Sequence, residues 1–440
     1  MKDKLAYIPA LYYVFAALCY AATLLTDAMR PGIAGAVLIF AVLVSLIASG
    51  NIRILCLADA AVAVLFFYQV LSVIWLMQGG YPLSVYTSEF VSSTFPMVFY
   101  FAGRSAGKLK GRWYGYFAAS VIFLGVLGIV LYAFAPQFYC DWAYRWSYIS
   151  KPDASTARVR MHSVIGSTCL SFLSVSGILA GSYFLTGNET GGRSETGGRR
   201  YCLNFLRQYL RPPVSLRPPV SVRPPVILPV VIMAICLLCA IMANQRSGIV
   251  AAALAIVFIN YLVFFRLDLI PKKYFWIEVI AAGVVFSAIC FVRIDFILKY
   301  WYRIASLPTA VSQRSEQWVA AVNNMYSSWI GNGLGANGHR ALGVEDAHVI
   351  ADGGLVKMYC ENGVLGFSLF VYIMYLALSD GVKDIKKHYA EVGIIAVGLL
   401  QSIGSNMLAF QICAPVFWFA VGACLCGTDG SRRDIPGKSP

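Results

Sequence analysis

The sequence has little charge for its length. Only 13% of its 440 residues are Asp, Glu, Lys or Arg, whereas soluble domains carry roughly 25%. It has no zinc-finger spacing and no aromatic–basic RNA motif, and its glycine-rich stretch GNGLGANG is not followed by the GK[ST] of a Walker loop. These absences argue against a soluble enzyme, a nucleic-acid-binding protein and a nucleotide-binding phosphate loop.

What the chain does have is long apolar runs. Hydrophobic residues make up 59% of the sequence, and most runs are long enough to cross a hydrocarbon core of ~30 Å. We therefore predict an all-α membrane protein, one polytopic domain over residues 1–440, with about twelve transmembrane helices. The predicted spans are residues 6–25, 33–49, 54–77, 84–103, 114–135, 164–185, 226–243, 249–265, 274–292, 363–379, 392–405 and 410–426.

The distribution of Lys and Arg predicts an orientation. With both termini in the cytoplasm, the inner segments hold 23 of the 35 basic residues and the outer segments hold 12. This asymmetry is the one expected for cytoplasmic loops. The predicted inner loop 186–225 is low in complexity and repeats ETGGR and RPPV. Repeat expansion of a tolerant loop is the preferred explanation, and a docking site for a cytoplasmic partner is the alternative.

Two predicted outer segments are unusually basic. Segment 293–362 is the longest hydrophilic stretch, and we expect it to form one large outer helical loop. Long loops can escape the charge bias of short ones, but arginines on the outer side also suit an anionic partner. The charged residues of the other outer segment, 136–163, include Arg145, Lys151, Arg158, Arg160 and His162.

Several residues in these outer segments are candidates for chemistry. Arg246 lies in the short turn NQRSG between two spans, where a guanidinium can bind phosphate or simply reach the interface. Arg314 is predicted to open a helix over residues 314–328. His348 and Asp352 are four residues apart, so a helix over residues 347–361 would place both on one face. A histidine or carboxylate near cations can act as a general base, and ordinary interfacial polarity is the alternative.

In their order, these elements resemble the O-antigen ligase and polymerase family of bacterial membrane glycosyltransferases. In that family an outward Arg–Ser turn is followed by an Arg shortly before a Trp, a glycine run, and a closing Glu-x-Gly-x-x-Gly. The corresponding residues here are Arg246 and Ser247, Arg314 and Trp318, Gly331, Gly333 and Gly335, and Glu361, Gly363 and Gly366. The resemblance implies a bundle like that of the C-type glycosyltransferases, located in the bacterial inner membrane with the large loop in the periplasm.

The resemblance also implies site roles and partners. Arg246 and Arg314, with Arg303, would bind the diphosphate of an undecaprenyl-diphosphate-linked glycan. Asp352 or His348 would deprotonate the acceptor hydroxyl, with Glu361, Gly363 and Gly366 in support. The acceptor would be a glycan or the lipid A core. Membrane lipids would surround the protein, and a chain-length regulator or a flippase is a further expected partner. No metal is expected, since no DxD-type acidic cluster occurs in the outer segments. No nucleic acid and no cofactor are expected either.

The position of Asp352 bears on which activity to expect. Ligases of the family usually have a histidine eleven residues before the first closing glycine, and counting back from Gly363 gives Asp352 instead. This favours a polymerase over a ligase, although His348 leaves the ligase open. The alternative from another class is a transporter of lipid-linked glycans. It is less favoured because no repeat of spans is evident and few acids lie in the spans.

Overall fold

The structure is a computed structural model, and within the part it describes the chain is built from helices. It describes residues 5, 7–146, 160–185, 227–266, 271–292 and 307–425, with single positions at 298, 302 and 305. Helix accounts for 79% of the structure, and the described residues include no strand. The predicted loop 186–225 and Arg303 lie outside the described residues. The helices are α1 Ile8–Ala22, α2 Pro31–Ser49, α3 Leu57–Leu71, α4 Val73–Gln78, α5 Leu83–Glu89, α6 Phe99–Arg104, α7 Lys110–Phe134, α8 Pro136–Arg145, α9 Ser167–Leu185, α10 Ile227–Ala243, α11 Arg246–Tyr261, α12 Lys273–Val292, α13 Leu307–Asn323, α14 Gly354–Lys383, α15 Ile385–Gly404 and α16 Ala414–Cys424.

Six helical stretches in the described ranges are long and apolar enough to cross a membrane: Pro31–Ser49, Leu57–Gln78, Lys110–Phe134, Ser167–Phe184, Arg246–Arg266 and Gly354–Lys383. In lipid, each backbone polar group must find its partner inside the protein, and a helix achieves this within one segment. These stretches make the chain a multi-pass helical membrane protein. The count of twelve spans stays a prediction.

Helix α9 lies at the centre of the bundle. In the membrane-spanning stretch of α9, 83% of the residues are buried, whereas in that of α2 only 28% are buried. Helix α2 therefore presents most of its surface to the outside of the bundle. Helices α7, α10, α11 and α15 surround α9. Small residues let these helices approach closely: a Cβ at Gly177 would come within 2.7 Å of Cys236 Sγ.

Several helices differ from their predicted bounds. Residues 84–103 were predicted as one span, but α5 and α6 are separated by a π-helical turn, Phe90–Thr94, and a 3-10 turn, Phe95–Val98. Pro96 lies within that second turn, and a proline removes a backbone donor and crowds the preceding turn. The apolar pattern of the sequence gives no sign of this change of helix type.

Helix α15 begins at Ile385, earlier than the predicted residue 392, because Glu391 in its second turn is buried and paired. The Lys110 ammonium lies 2.6 Å from Glu391 Oε1, and Tyr114 donates a hydrogen bond to the same oxygen. A helix of 20 residues is ~30 Å long. The last residue of α15, Gly404, therefore lies at the opposite end of the bundle from Lys110.

Candidate functional site

The segments predicted to face outward meet at the end of the bundle where α15 stops. The N–H of Met161 donates to the carbonyl of Met242 over 2.9 Å, which joins segment 160–166 to the turn before α11. On the other side, the N–H of Gly354 donates to the carbonyl of Ser405 over 3.2 Å. The start of α14 is thereby tied to the loop that follows α15.

Arg314 and Asp352 form an ion pair at this end. An Nη2 hydrogen of Arg314 is donated to Asp352 Oδ2 over 2.7 Å, and the two side chains remain 31% and 41% exposed. Such a half-exposed pair contributes only ~0–1 kcal/mol to stability. Both groups are therefore accessible to a ligand, and a competing anion could take the place of the carboxylate at little cost to the fold.

Trp318 holds the backbone of Asp352 in place. Its indole Nε1 donates to the Asp352 carbonyl over 2.8 Å. The next residue, Gly353, has a φ of 133°, and a Cβ there would lie 2.5 Å from the same indole nitrogen. Glycine is required here both for its backbone conformation and for the close approach of the ring.

Arg160 and Arg246 complete a cluster around this pair. Burial lowers the pKa of the Arg160 guanidinium, and the Asp352 carboxylate opposes that shift. Arg246 and Arg314 act in the same direction as burial, because neighbouring cations disfavour a further positive charge. We call these four residues, Arg160, Arg246, Arg314 and Asp352, the arginine cluster.

Gly404 lies between Arg314 and the start of α11, which carries Arg246. A Cβ at Gly404 would lie 3.8 Å from Nη1 of Arg314 and 4.0 Å from the Cβ of Ser247, the residue after Arg246. Arg246 is the first residue of α11, after a turn in which Asn244 has a φ of 50°. The guanidinium groups of Arg160, Arg246 and Arg314 thus lie in one region with the Asp352 carboxylate. This arrangement suits a multiply charged anion such as a diphosphate.

Arg160 is a candidate site residue that the sequence alone does not single out. Its outer segment was recognised as basic, but 86 residues separate Arg160 from Arg246 along the chain. Next to it, His162 is buried, and its backbone N–H donates to the Tyr139 hydroxyl. Burial, reinforced by Arg160, lowers the pKa of His162 to about 4. The hydrogen bond from the His162 backbone to Tyr139 anchors the segment that presents Arg160.

The helix over residues 347–361 that would place His348 and Asp352 on one face does not form in its first half. Residues 347–353 are irregular, and α14 begins at Gly354. Tertiary hydrogen bonds replace helical ones: the N–H of Ile350 donates to the Asn337 carbonyl over 2.9 Å. His348 and Asp352 therefore share a loop instead of one helical face. The predicted role of Arg314 as the first residue of a helix is also wrong, because α13 starts at Leu307 and ends at Asn323.

The residues of the closing motif, Glu361, Gly363 and Gly366, lie in α14, the helix that follows the loop of residues 347–353. Glu361 is buried, and its Oε1 accepts the N–H of Asn337 over 3.3 Å and lies 3.5 Å from the Lys357 ammonium. Gly363 interrupts α14 with a φ of 60°, where a Cβ would lie 2.3 Å from the Trp329 carbonyl oxygen. At Gly366 a Cβ would lie 2.7 Å from the Tyr68 ring. The two glycines permit close backbone packing.

Behind the loop lies a small cavity of about 40 Å³ for water-sized molecules. Its lining includes the polar residues Gln69, Glu89, Lys357, Glu361 and Asn406 beside apolar ones such as Phe370 and Trp418. One water needs ~10–15 Å³ by this measure, so the cavity has room for a few waters and is too small for a sugar. Among the described residues, no group of three or more His, Cys, Asp or Glu side chains is arranged to hold a metal ion.

Comparison of the chain with models of known protein families finds no match. Comparison with curated proteins finds no match either. The class of the protein therefore follows from its fold: it is a multi-pass helical membrane protein with an arginine cluster at one end of the bundle.

Proposed function

We propose that the protein is a membrane glycosyltransferase of the O-antigen polymerase type. It would transfer a glycan from an undecaprenyl-diphosphate donor to a sugar hydroxyl at the periplasmic face of the bacterial inner membrane. The observation that carries the proposal is the arginine cluster, in which Arg160 interacts with Arg246, Arg314 and Asp352, and Arg314 forms an ion pair with Asp352. A lipid-linked donor needs cations for its diphosphate and a base for the acceptor within one site, and these residues provide both.

In the proposed reaction the acceptor oxygen attacks the anomeric carbon of the donor. A carbon–oxygen bond to the acceptor forms, the bond from that carbon to the diphosphate oxygen breaks, and Asp352 takes the hydroxyl proton. The three arginines stabilise the negative charge that grows on the leaving diphosphate. Before the donor binds, Arg314 pairs with Asp352. The diphosphate would compete for that guanidinium and leave the carboxylate free to act as a base.

A ligase is the second candidate, since it uses the same donor and differs in its acceptor. His348 favours it, because the histidine lies in the same loop as Asp352 and could take the role of base. In a ligase the finished glycan would be moved to the lipid A core or to another acceptor.

A surface-glycan gel from a deletion strain of the source bacterium tests the proposal. A product with a single repeat unit and no ladder would support the polymerase, and long lipid-linked chains with no attached glycan would support the ligase. Single lipid-linked units trapped on the cytoplasmic side would instead support a transporter and contradict the enzyme.

Complementation of that strain adds the test of the site. We expect Arg246→Ala and Arg314→Ala to fail to restore the ladder although the protein reaches the membrane. Arg145→Ala is the matched control, because Arg145 forms an exposed pair with Asp27 at 3.1 Å and should restore it. Full product length with either site variant would contradict the proposal.

A further inference from the structure

Asn337 is fully buried between the glycine-rich stretch and the site loop, residues 347–353, and all its polar groups are used. Its N–H donates to Glu361 Oε1 over 3.3 Å, and its carbonyl accepts the N–H of Ile350 over 2.9 Å. Its side-chain oxygen accepts from Asn332 Nδ2 over 2.9 Å, and its Nδ2 donates to the carbonyl of His348 over 2.8 Å. A buried asparagine satisfied at all four groups specifies a single arrangement of its neighbours.

Towards the helix bundle, Asn337 is held by Glu361, which belongs to a buried group of charged side chains. Glu361 interacts with Lys357, which also forms an ion pair with Glu89 at the end of α5. Gly338 lies directly over this pair: a Cβ there would be 2.9 Å from Lys357 Cε and 3.3 Å from Glu89 Oε2. The two buried ion pairs hold this anchor in the fold, because removing one partner would leave a buried charge without compensation.

On the side of the site, Asn337 holds the loop at two points, the carbonyl of His348 and the N–H of Ile350. Asn406 holds the following residues from the opposite side: its Nδ2 donates to the carbonyls of Ile350 at 2.8 Å and Ala351 at 3.2 Å. Asp352 comes next in the chain. The backbone that carries the two candidate bases is thus gripped between two buried asparagines, one of which is fixed to the bundle through Glu361.

We propose that Asn337 is a positioning residue. It sets the place of the site loop relative to the arginine cluster and acts through the carbonyl of His348 and the N–H of Ile350. This inference deepens the proposed function and rests on it for its catalytic consequence. Since a displacement of ~1 Å at a reacting group can cost roughly 10²-fold in rate, loosening this grip would lower kcat. Donor affinity would be retained, because Arg160 and Arg246 lie on other segments.

The test compares Asn337→Leu with Asn324→Leu in the full-length protein in detergent. Leucine has a similar volume but offers no hydrogen bond. Asn324 is an exposed asparagine whose Nδ2 donates to the Ala320 carbonyl within its own helical turn, so its variant is the matched control. The probes are kcat and KM with a short lipid-diphosphate-linked glycan, and amide hydrogen exchange at residues 348–352.

We expect Asn337→Leu to lower kcat by roughly 10²-fold, to leave KM for the donor within about twofold, and to speed exchange of the Ile350 amide about tenfold or more. The control should match the wild type in all three. An unchanged kcat, or a raised KM with kcat unchanged, would overturn the proposal.

If Asn337→Leu does not fold, Asn337→Ser replaces it, because serine is small and its hydroxyl is too short to reach the His348 carbonyl. Loss of fold in both variants would also overturn the proposal, since Asn337 would then be needed for folding and not for placement. The exchange measurement separates this inference from the proposed function. A wild-type protein that transfers no glycan would refute the function, whereas faster exchange at Ile350 in the variant would still support the placement.

Discussion

The guanidinium of Arg314 donates a hydrogen bond to the carboxylate of Asp352 over 2.7 Å, although 38 residues separate the two in the chain. Trp318, one turn after Arg314 on α13, donates to the backbone carbonyl of the same aspartate over 2.8 Å. Residues four apart on a helix lie on one face, so α13 holds Asp352 at its side chain and its backbone together. The arrangement places a carboxylate beside cations at the end of the bundle.

We expect Arg160→Ala to raise KM for a lipid-diphosphate donor by roughly tenfold or more, because a charge-assisted hydrogen bond is worth ~1.5–3 kcal/mol. Donor titration with the purified protein measures this. Arg145→Ala is the control, since its partner Asp27 is 68% exposed and the pair lies in solvent. Equal KM values for the two variants would show that Arg160 does not contribute to donor binding.

Asp352→Asn and His348→Gln separate the two candidate bases. If Asp352 takes the hydroxyl proton, its amide variant should lose roughly 10²–10⁴-fold in kcat, the usual contribution of a general base. His348→Gln should then lose less than about tenfold, because the contact shown for His348 is made by its backbone carbonyl. Single-turnover transfer rates decide between them, and the reverse order would assign the base to His348.

The buried His162 predicts a pH-dependent stability. Its pKa falls from the usual 6.5 to about 4 in the folded protein, so the unfolded state binds more protons between those values. The stabilisation is complete above pH 6.5 and is lost as the pH falls towards 4. At pH 5 the loss from this group is about 2 kcal/mol.

The measurement is the thermal stability of the detergent-solubilised protein at pH 7.5 and pH 5. We expect His162→Phe to lose less stability than the wild type on acidification, because phenylalanine does not take up a proton. The exposed His339 supplies the control, and His339→Phe should follow the wild type. An equal loss in all three proteins would show that other groups set the acid sensitivity.

Gly363→Ala should destabilise the protein strongly. Its φ of 60° is unfavourable for a side chain, at a cost of ~1 kcal/mol or more, and the new Cβ would meet the Trp329 carbonyl at 2.3 Å. Gly283→Ala is the control: nothing lies within 4 Å of its Cβ position on helix α12, and alanine favours a helix by up to ~1 kcal/mol. Thermal unfolding in detergent compares them. Equal stability of the two variants would show that the break in α14 is not required.

The sequence by itself determined the helical, membrane-spanning character of the protein. Long apolar runs leave the backbone one way to satisfy its polar groups in lipid, and this requirement is local. The sequence also predicted the turn before Arg246, because polar residues interrupt two apolar runs there. The sequence predicted the bounds of helices less well where buried charges are paired. Helix α15 extends into a charged stretch because Lys110, on another helix, neutralises Glu391.

Only the tertiary structure decided the composition of the site. Arg160 joins Arg246 and Arg314 because segment 160–166 packs on the turn before α11, and residue spacing contains no sign of that contact. The loop of His348 and Asp352 is not helical because Asn337 and Asn406 capture its backbone groups. Helical periodicity is a property of neighbouring residues, whereas these hydrogen bonds come from residues 11 and 56 positions away in the chain.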